Sequence, residues 1–189
     1  CFNTSMTGYQ EILTDPSYAG QIINFTFPHI GNVGTNPIDM ETGKPSVLGL
    51  ITRNQITEPS NWRNTQSFSE WLEKYKIPGI SGIDTRALTR KIRDEGAKTA
   101  LLSYKKNADF NFETIKNKIA AWPGLKDMDL AKTVTCSATT EWSGGLYRFD
   151  FEQKLSSGLN VAKKHRVIAI DFGAKHNILR CLETAGCEV

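Results

Sequence analysis

The chain has 189 residues, of which 39% are hydrophobic and 23% charged. Those are ordinary globular proportions, enough for one medium domain or for one domain and part of another. A net charge of +3 is too mild for a nucleic-acid or anionic-membrane partner, and no apolar run approaches the ~20 residues of a membrane span. Cys1, Cys136, Cys181 and Cys187 show no CxxC spacing and read as reduced thiols. The start has no signal-peptide order, so the expected location is cytoplasmic. Opening at Cys1, inside what reads as a motif, suggests a piece of a longer chain.

Tyr9 to Leu13 can make one helical turn, and Asp15-Pro16-Ser17 reads as a tight turn. The Asp15 carboxylate can accept the backbone N–H two residues on, and Pro16 presets φ. Ser17 then sits at a rigid tip, where its hydroxyl and N–H can face a ligand; the plainer alternative is an ordinary surface turn. Gln21 to Phe27 is β-rich and stops at Pro28. Gly31 to Lys44 reads as a long loop, and Val47 to Thr52 as a short strand.

Ser67 and Glu70 have capping-box spacing and open a helix with Phe68, Trp71, Leu72 and Tyr75 on a core-facing stripe, closed by Pro78-Gly79. Ile80 to Ile83 reads as a strand. Asp84 then caps a helix from Thr85 to Glu95 that stops at Gly96, with Leu88 and Ile92 facing a core. Arg86, Arg90 and Arg93 fall on its other face. They could grip an anion or a partner protein, or form a solvated face neutralised by Asp94 and Glu95; the second reading is preferred.

Thr99 to Tyr104 reads as another strand. Asn111 caps a helix with Phe112, Ile115, Ile119 and Trp122 on one side, closed by Pro123-Gly124. Thr133 to Thr139 and Tyr147 to Phe151 alternate as strands. Strands and single helices thus mix without a regular βαβ rhythm, which predicts an α+β domain over residues 1–152. Residues 153–164 read as a linker. Val167 to Phe172 reads as a strand buried on both faces. A Gly173-Ala174 turn then leads into a helix with Ile178, Leu179, Leu182 and Ala185 inward, Gly186 as its stop, and a second strand starting at Glu188. Residues 165–189 therefore read as the first βα unit of a parallel α/β sheet.

Asp171-Phe172-Gly173 is not a kinase motif, because no glycine-rich phosphate loop or His-Arg-Asp loop precedes it. His29, His165 and His176 lack i, i+4 ligand partners, so no metal is expected. A nucleophilic cysteine needs an exposed strand-to-helix elbow. None of the four has one, so no catalytic residue is assigned.

Asn3-Thr4-Ser5-Met6-Thr7-Gly8-Tyr9-Gln10-Glu11, Thr14-Asp15-Pro16-Ser17-Tyr18, Pro28 to Gly34, Asn61-Trp62-Arg63-Asn64-Thr65, Ile83 to Arg90, Met128 to Lys132 and Asp171 to Lys175 occur in one order. Together they resemble the bacterial small subunit of carbamoyl-phosphate synthetase. The resemblance implies a swivelling β/β/α-type N-terminal domain followed by the truncated start of a class I glutamine amidotransferase domain. It also implies a subunit that hydrolyses L-glutamine with a Cys, His and Glu set beyond this stretch. The ammonia would pass to a large subunit that makes carbamoyl phosphate with ATP and magnesium, for arginine and pyrimidine synthesis; this chain would need no cofactor. The one functional position it carries over is Ser17, as a contact to the glutamine substrate. The competing reading is a stand-alone, non-catalytic interaction domain.

Overall fold

The computed structural model describes residues 1–149, 155–157 and 162–189. Contacts divide the chain into two units, Cys1–Leu130 and Ala131–Val189.

The first unit is built on a four-stranded parallel sheet in the order β1 (Phe2–Asn3), β2 (Ile22–Phe25), β3 (Gly49–Ile51) and β4 (Gly79–Ile80). Successive side chains of a strand face opposite ways, and β2 uses both faces. Ile23 and Phe25 point into a core with Tyr9 and Leu13 of α1 (Tyr9–Thr14), Leu50 of β3, and Phe68, Trp71 and Leu72 of α2 (Phe68–Lys74). Leu13, Ile23 and Phe68 are wholly buried, each worth roughly 1.5–3 kcal/mol of transfer free energy. Asn24 points the other way. Its amide donates to the Thr85 carbonyl at 3.0 Å and the Thr89 hydroxyl at 2.9 Å, tying α3 (Thr85–Glu95) to the opposite side of the sheet.

The helix starts follow their caps. Ser67 accepts from the Glu70 amide while the Glu70 carboxylate accepts from the Ser67 amide, the expected capping box. Asp84 accepts from the Ala87 amide at 3.0 Å, and Gly96 ends α3 at φ 83°. Asn111 accepts from Thr114 at 2.9 Å and opens α4 (Phe112–Ala120).

β2 and β3 are shorter than the runs that predicted them, the strand expected from Ile80 to Ile83 is shifted to Gly79–Ile80, and the one expected from Thr99 to Tyr104 is absent. α2 stops at Lys74, before Pro78-Gly79, and Lys76 turns the chain at φ 55°. The chain then re-enters the sheet at Gly79, one residue early. Gly79 lies flat against Leu50, where a Cβ would come within 3.2 Å of Cδ2. Thr99 to Tyr104 is not a strand: the sheet ends at β4, and this segment does not add to its outer edge. Leu102 instead lies against Gly49, and Tyr104 is 88% exposed. The expected mixture of strands and single helices is present, with all four strands of the main sheet parallel.

In the second unit, the strand expected from Thr133 to Thr139 is replaced by α5 (Leu130–Val134) and irregular chain. The Thr135 amide and hydroxyl both bond the Ala131 carbonyl, at 2.9 and 2.7 Å, so the helical turn continues where alternation alone pointed to a strand. β5 (Tyr147–Phe149) pairs antiparallel with β6 (Leu155–Ser157), which falls in the segment read as a linker. The rest of the expected strand, through Phe151, lies outside the described residues. β7 (His165–Arg166) pairs in parallel with β8 (Cys187–Glu188).

Val167 to Phe172 is the largest departure. It does not continue β7, and Ile168, Ile170 and Phe172 are 88%, 78% and 73% exposed. A strand buried on both faces needs neighbours along both edges, and β8 reaches only as far as Val167, whose N–H donates to the Glu188 carbonyl at 2.8 Å. α6 (His176–Thr184) follows the Gly173-Ala174 turn as expected and stops before Gly186 at φ 89°. Its apolar positions divide, with Leu179 and Leu182 half-buried and Ile178 and Ala185 exposed.

Candidate functional site

The turn from Thr14 to Tyr18 is bound on every side except its tip. α1 ends because Asp15 leaves helical backbone for φ −73°, ψ 121°, and Pro16 has no N–H to continue the ladder. The Asp15 carboxylate accepts the Ser17 N–H at 2.8 Å, and Pro16–Tyr18 close a short 3-10 turn. Pro16 is buried while Ser17, beside it, is exposed. The Gln21 side-chain amide donates to the Ser17 carbonyl at 3.2 Å, and Asn3 donates to the Tyr18 phenol at 3.2 Å. Ser17 thus has both backbone groups engaged, and its hydroxyl stands at the exposed tip. The Ser17 N–H, expected to face a ligand, is instead taken by Asp15.

Behind the tip, partners distant in sequence hold α1. The Thr14 side chain, wholly buried, donates to the Gln10 carbonyl at 2.9 Å and accepts the Glu41 N–H at 2.9 Å. The Thr42 hydroxyl donates to the Thr14 carbonyl at 2.7 Å, and the Ser46 N–H donates to Leu13 at 3.1 Å. Gln10 and the Asn36 backbone bond each other twice, at 2.7 and 2.9 Å. The 31–44 segment is a loop, as its composition says, but one locked onto α1.

Charge gathers at the same place. Arg63 forms an ion pair with Asp39, which also accepts from the Asn36 amide at 2.9 Å. Glu11 lies half-buried near this pair, and its carboxyl is pushed up from 4.5 to about 7. Burial is the main cause, and the Asp39 and Glu41 carboxylates add to it. Its own backbone N–H and Arg63 oppose the rise. Burial likewise raises the Tyr9 phenol, which donates to the Gly34 carbonyl at 2.6 Å. Neither the Thr14 node nor the Glu11 group is legible in the sequence. Their partners lie 27 to 28 residues away for Thr14, and local spacing carries no signal of them.

The remaining candidates do not converge on the turn. Arg86, Arg90 and Arg93 are exposed along α3, with Arg93 paired to Asp94 at 2.9 Å and Asp84 to Arg53 at 3.5 Å. His29 is exposed beside the Phe27 ring, and His176 lies 4.9 Å from the Trp142 ring. Among the described residues no three His, Cys, Asp or Glu side chains gather as metal ligands would. Cys136 is exposed, and the bond between its thiol and Asp171 pushes the thiol upward, away from a thiolate. Cys181 is exposed on α6, and Cys187 is buried in β8. A cavity of about 370 Å³ opens beside β3, β4 and α2, walled by Leu50, Leu72, Glu73 and Ile80. No helix among the described residues is long and apolar enough to cross a membrane.

Taken together, the turn is a display element: a rigid framework that presents one hydroxyl. Comparison with known proteins agrees on the lineage. A family described as carbamoyl-phosphate synthase small chain, CPSase domain, matches residues 1–102. The carbamoyl phosphate synthase small chain of Bradyrhizobium diazoefficiens is 48% identical over 195 residues, covering 100% of this chain and 48% of the relative. The same-named protein of Ruegeria pomeroyi is 47% identical, with 100% and 48% covered, and that of Zymomonas mobilis is 44% identical, with 100% and 50% covered. The chain belongs to the carbamoyl-phosphate synthase small chain family, and it spans about half the length of these relatives.

Proposed function

We propose that this chain is the N-terminal part of the glutamine-hydrolysing subunit of a carbamoyl-phosphate synthetase, and that Ser17 contacts the glutamine substrate. Residues 1–152 are the subunit's own swivelling-type N-terminal domain, and residues 165–189 begin its class I amidotransferase domain. Ammonia released from glutamine passes to a large subunit in the same cytoplasmic heterodimer, which consumes ATP and magnesium to make carbamoyl phosphate. The catalytic Cys, His and Glu belong to the remainder of the amidotransferase domain, and this stretch contributes substrate contact and no cofactor.

The observation that carries the reading is the tip itself. Within a chain whose whole length aligns with about half of each small-chain relative, the exposed Ser17 hydroxyl stands on a turn whose Ser17 N–H and carbonyl are both engaged. A backbone held so costs little further entropy when its side chain binds.

The test is Ser17→Ala in the full-length subunit. One lost hydrogen bond to a charged ligand is worth roughly 1.5–3 kcal/mol, about ten- to a hundred-fold in affinity. KM for glutamine should rise by that order with kcat little changed, because uniform binding is lost while the nucleophile is untouched. A KM equal to wild type in a folded protein makes Ser17 a turn residue only.

A further inference from the structure

The tip of a turn is only as well placed as the helix that carries it, and α1 is short. Six residues in water do not hold a helix by themselves. What holds its C-terminal end is Thr14. Its hydroxyl sits between two elements, donating to Gln10 inside the helix at 2.9 Å and accepting the Glu41 N–H from the 41–46 segment at 2.9 Å. Its carbonyl, one of the last of the helix and without an intrahelical partner, takes the Thr42 hydroxyl at 2.7 Å. Ser46 closes on Leu13 at 3.1 Å, and Leu48 on Gln21 at 2.8 Å just past the tip. The 41–48 segment therefore straps both ends of the Asp15-Pro16-Ser17 turn. Thr14 is wholly buried, so water cannot replace these bonds when they are lost.

We propose that Thr14 is a positioning residue for Ser17, setting through the 41–46 strap where the Ser17 hydroxyl meets substrate. This rests on the reading that Ser17 contacts glutamine. Threonine suits the task because its methyl fills the core while its hydroxyl joins helix to strap; valine keeps the shape and removes only the hydroxyl. A displacement of the tip weakens the same contact in ground state and transition state alike, so the effect belongs in KM.

The experiment measures glutamine hydrolysis by the full-length subunit carrying Thr14→Val, Thr14→Ser, Ser17→Ala, and the Thr14→Val/Ser17→Ala pair. Thr14→Val is expected to raise KM for glutamine at least about threefold with kcat within about twofold. Thr14→Ser, which keeps the hydroxyl, should return KM to near wild type. In the Ser17→Ala background Thr14→Val should add less than about 1.5-fold, because residues acting on one contact are not additive. Should Thr14→Val fail to fold, Thr42→Val, which removes a tie from the half-buried strap, takes its place in the same cycle. A KM unmoved by loss of the tie, or a full multiplicative effect in the Ser17→Ala background, overturns the positioning role. If Ser17→Ala raises KM while the Thr14 and Thr42 variants do not, positioning fails and the substrate contact stands. If Ser17→Ala itself leaves KM unchanged, the contact fails and the inference with it.

Discussion

Glu11 is the residue at which the first unit's stability should depend most plainly on pH. Its carboxyl rises from 4.5 in the unfolded chain to about 7 in the fold, chiefly through burial and then through Asp39 and Glu41. The folded state therefore holds a proton that the unfolded state releases, and stability falls as pH climbs from about 4.5 to about 7. The penalty is absent below that window and complete above it. At 1.36 kcal/mol per pH unit the rise corresponds to about 3 kcal/mol, and partial solvent access to a half-buried side chain reduces it to about 2 kcal/mol. Glu11→Gln keeps the shape and an acceptor oxygen but cannot ionise, so it removes the penalty. Urea unfolding followed by tryptophan fluorescence reads it, since Trp71 lies in the same core. At about pH 8 the variant should be more stable by about 2 kcal/mol, a midpoint shift of about 1 M urea. At about pH 4.5 the two proteins should agree within roughly 0.5 kcal/mol. A gap of equal size at both pH values, or a less stable variant at the higher one, would refute burial as the cause.

Two further outcomes test the fold. Gly34 has φ +72°, and an added Cβ would overlap the Asn64 side chain; Gly34→Ala should lower the urea midpoint by more than the roughly 0.5–1 kcal/mol of a φ > 0 penalty alone, and an unchanged midpoint would show that Asn64 moves aside freely. In the 189-residue chain, the amides from Ile168 to Phe172 should exchange faster than those of α3, because the apolar side chains there are exposed; equal protection would show that this segment pairs.

Where short-range chemistry settled a structure, the sequence showed it. The Asp15 bond to the Ser17 N–H, the Ser67–Glu70 capping box, and the Asp84 and Asn111 caps all join residues two or three positions apart. Each is written in residue type and spacing. Strands were legible only where a neighbour was available. Val167 to Phe172 has the composition of a central strand, yet composition does not supply the second edge, and Ile168, Ile170 and Phe172 stand in solvent. Thr133 to Thr139 alternates, but the Thr135 hydroxyl found a helical carbonyl nearer than any strand.

The candidate site divides along the same line, and the division bears on how it works. Its tip is local, three residues whose turn chemistry places Ser17 outward. Its foundation is not local, since Thr14 meets Glu41 and Thr42 across 27 and 28 positions. An exposed hydroxyl on a locally formed turn would keep its shape but wander with its helix. The buried strap converts a shape into a position, which is what a contact to a small substrate requires. The Glu11 group sits on the same six-residue helix and near the same 39–41 segment. Its ionisation costs stability on the same helix whose C-terminal end Thr14 ties to the strap.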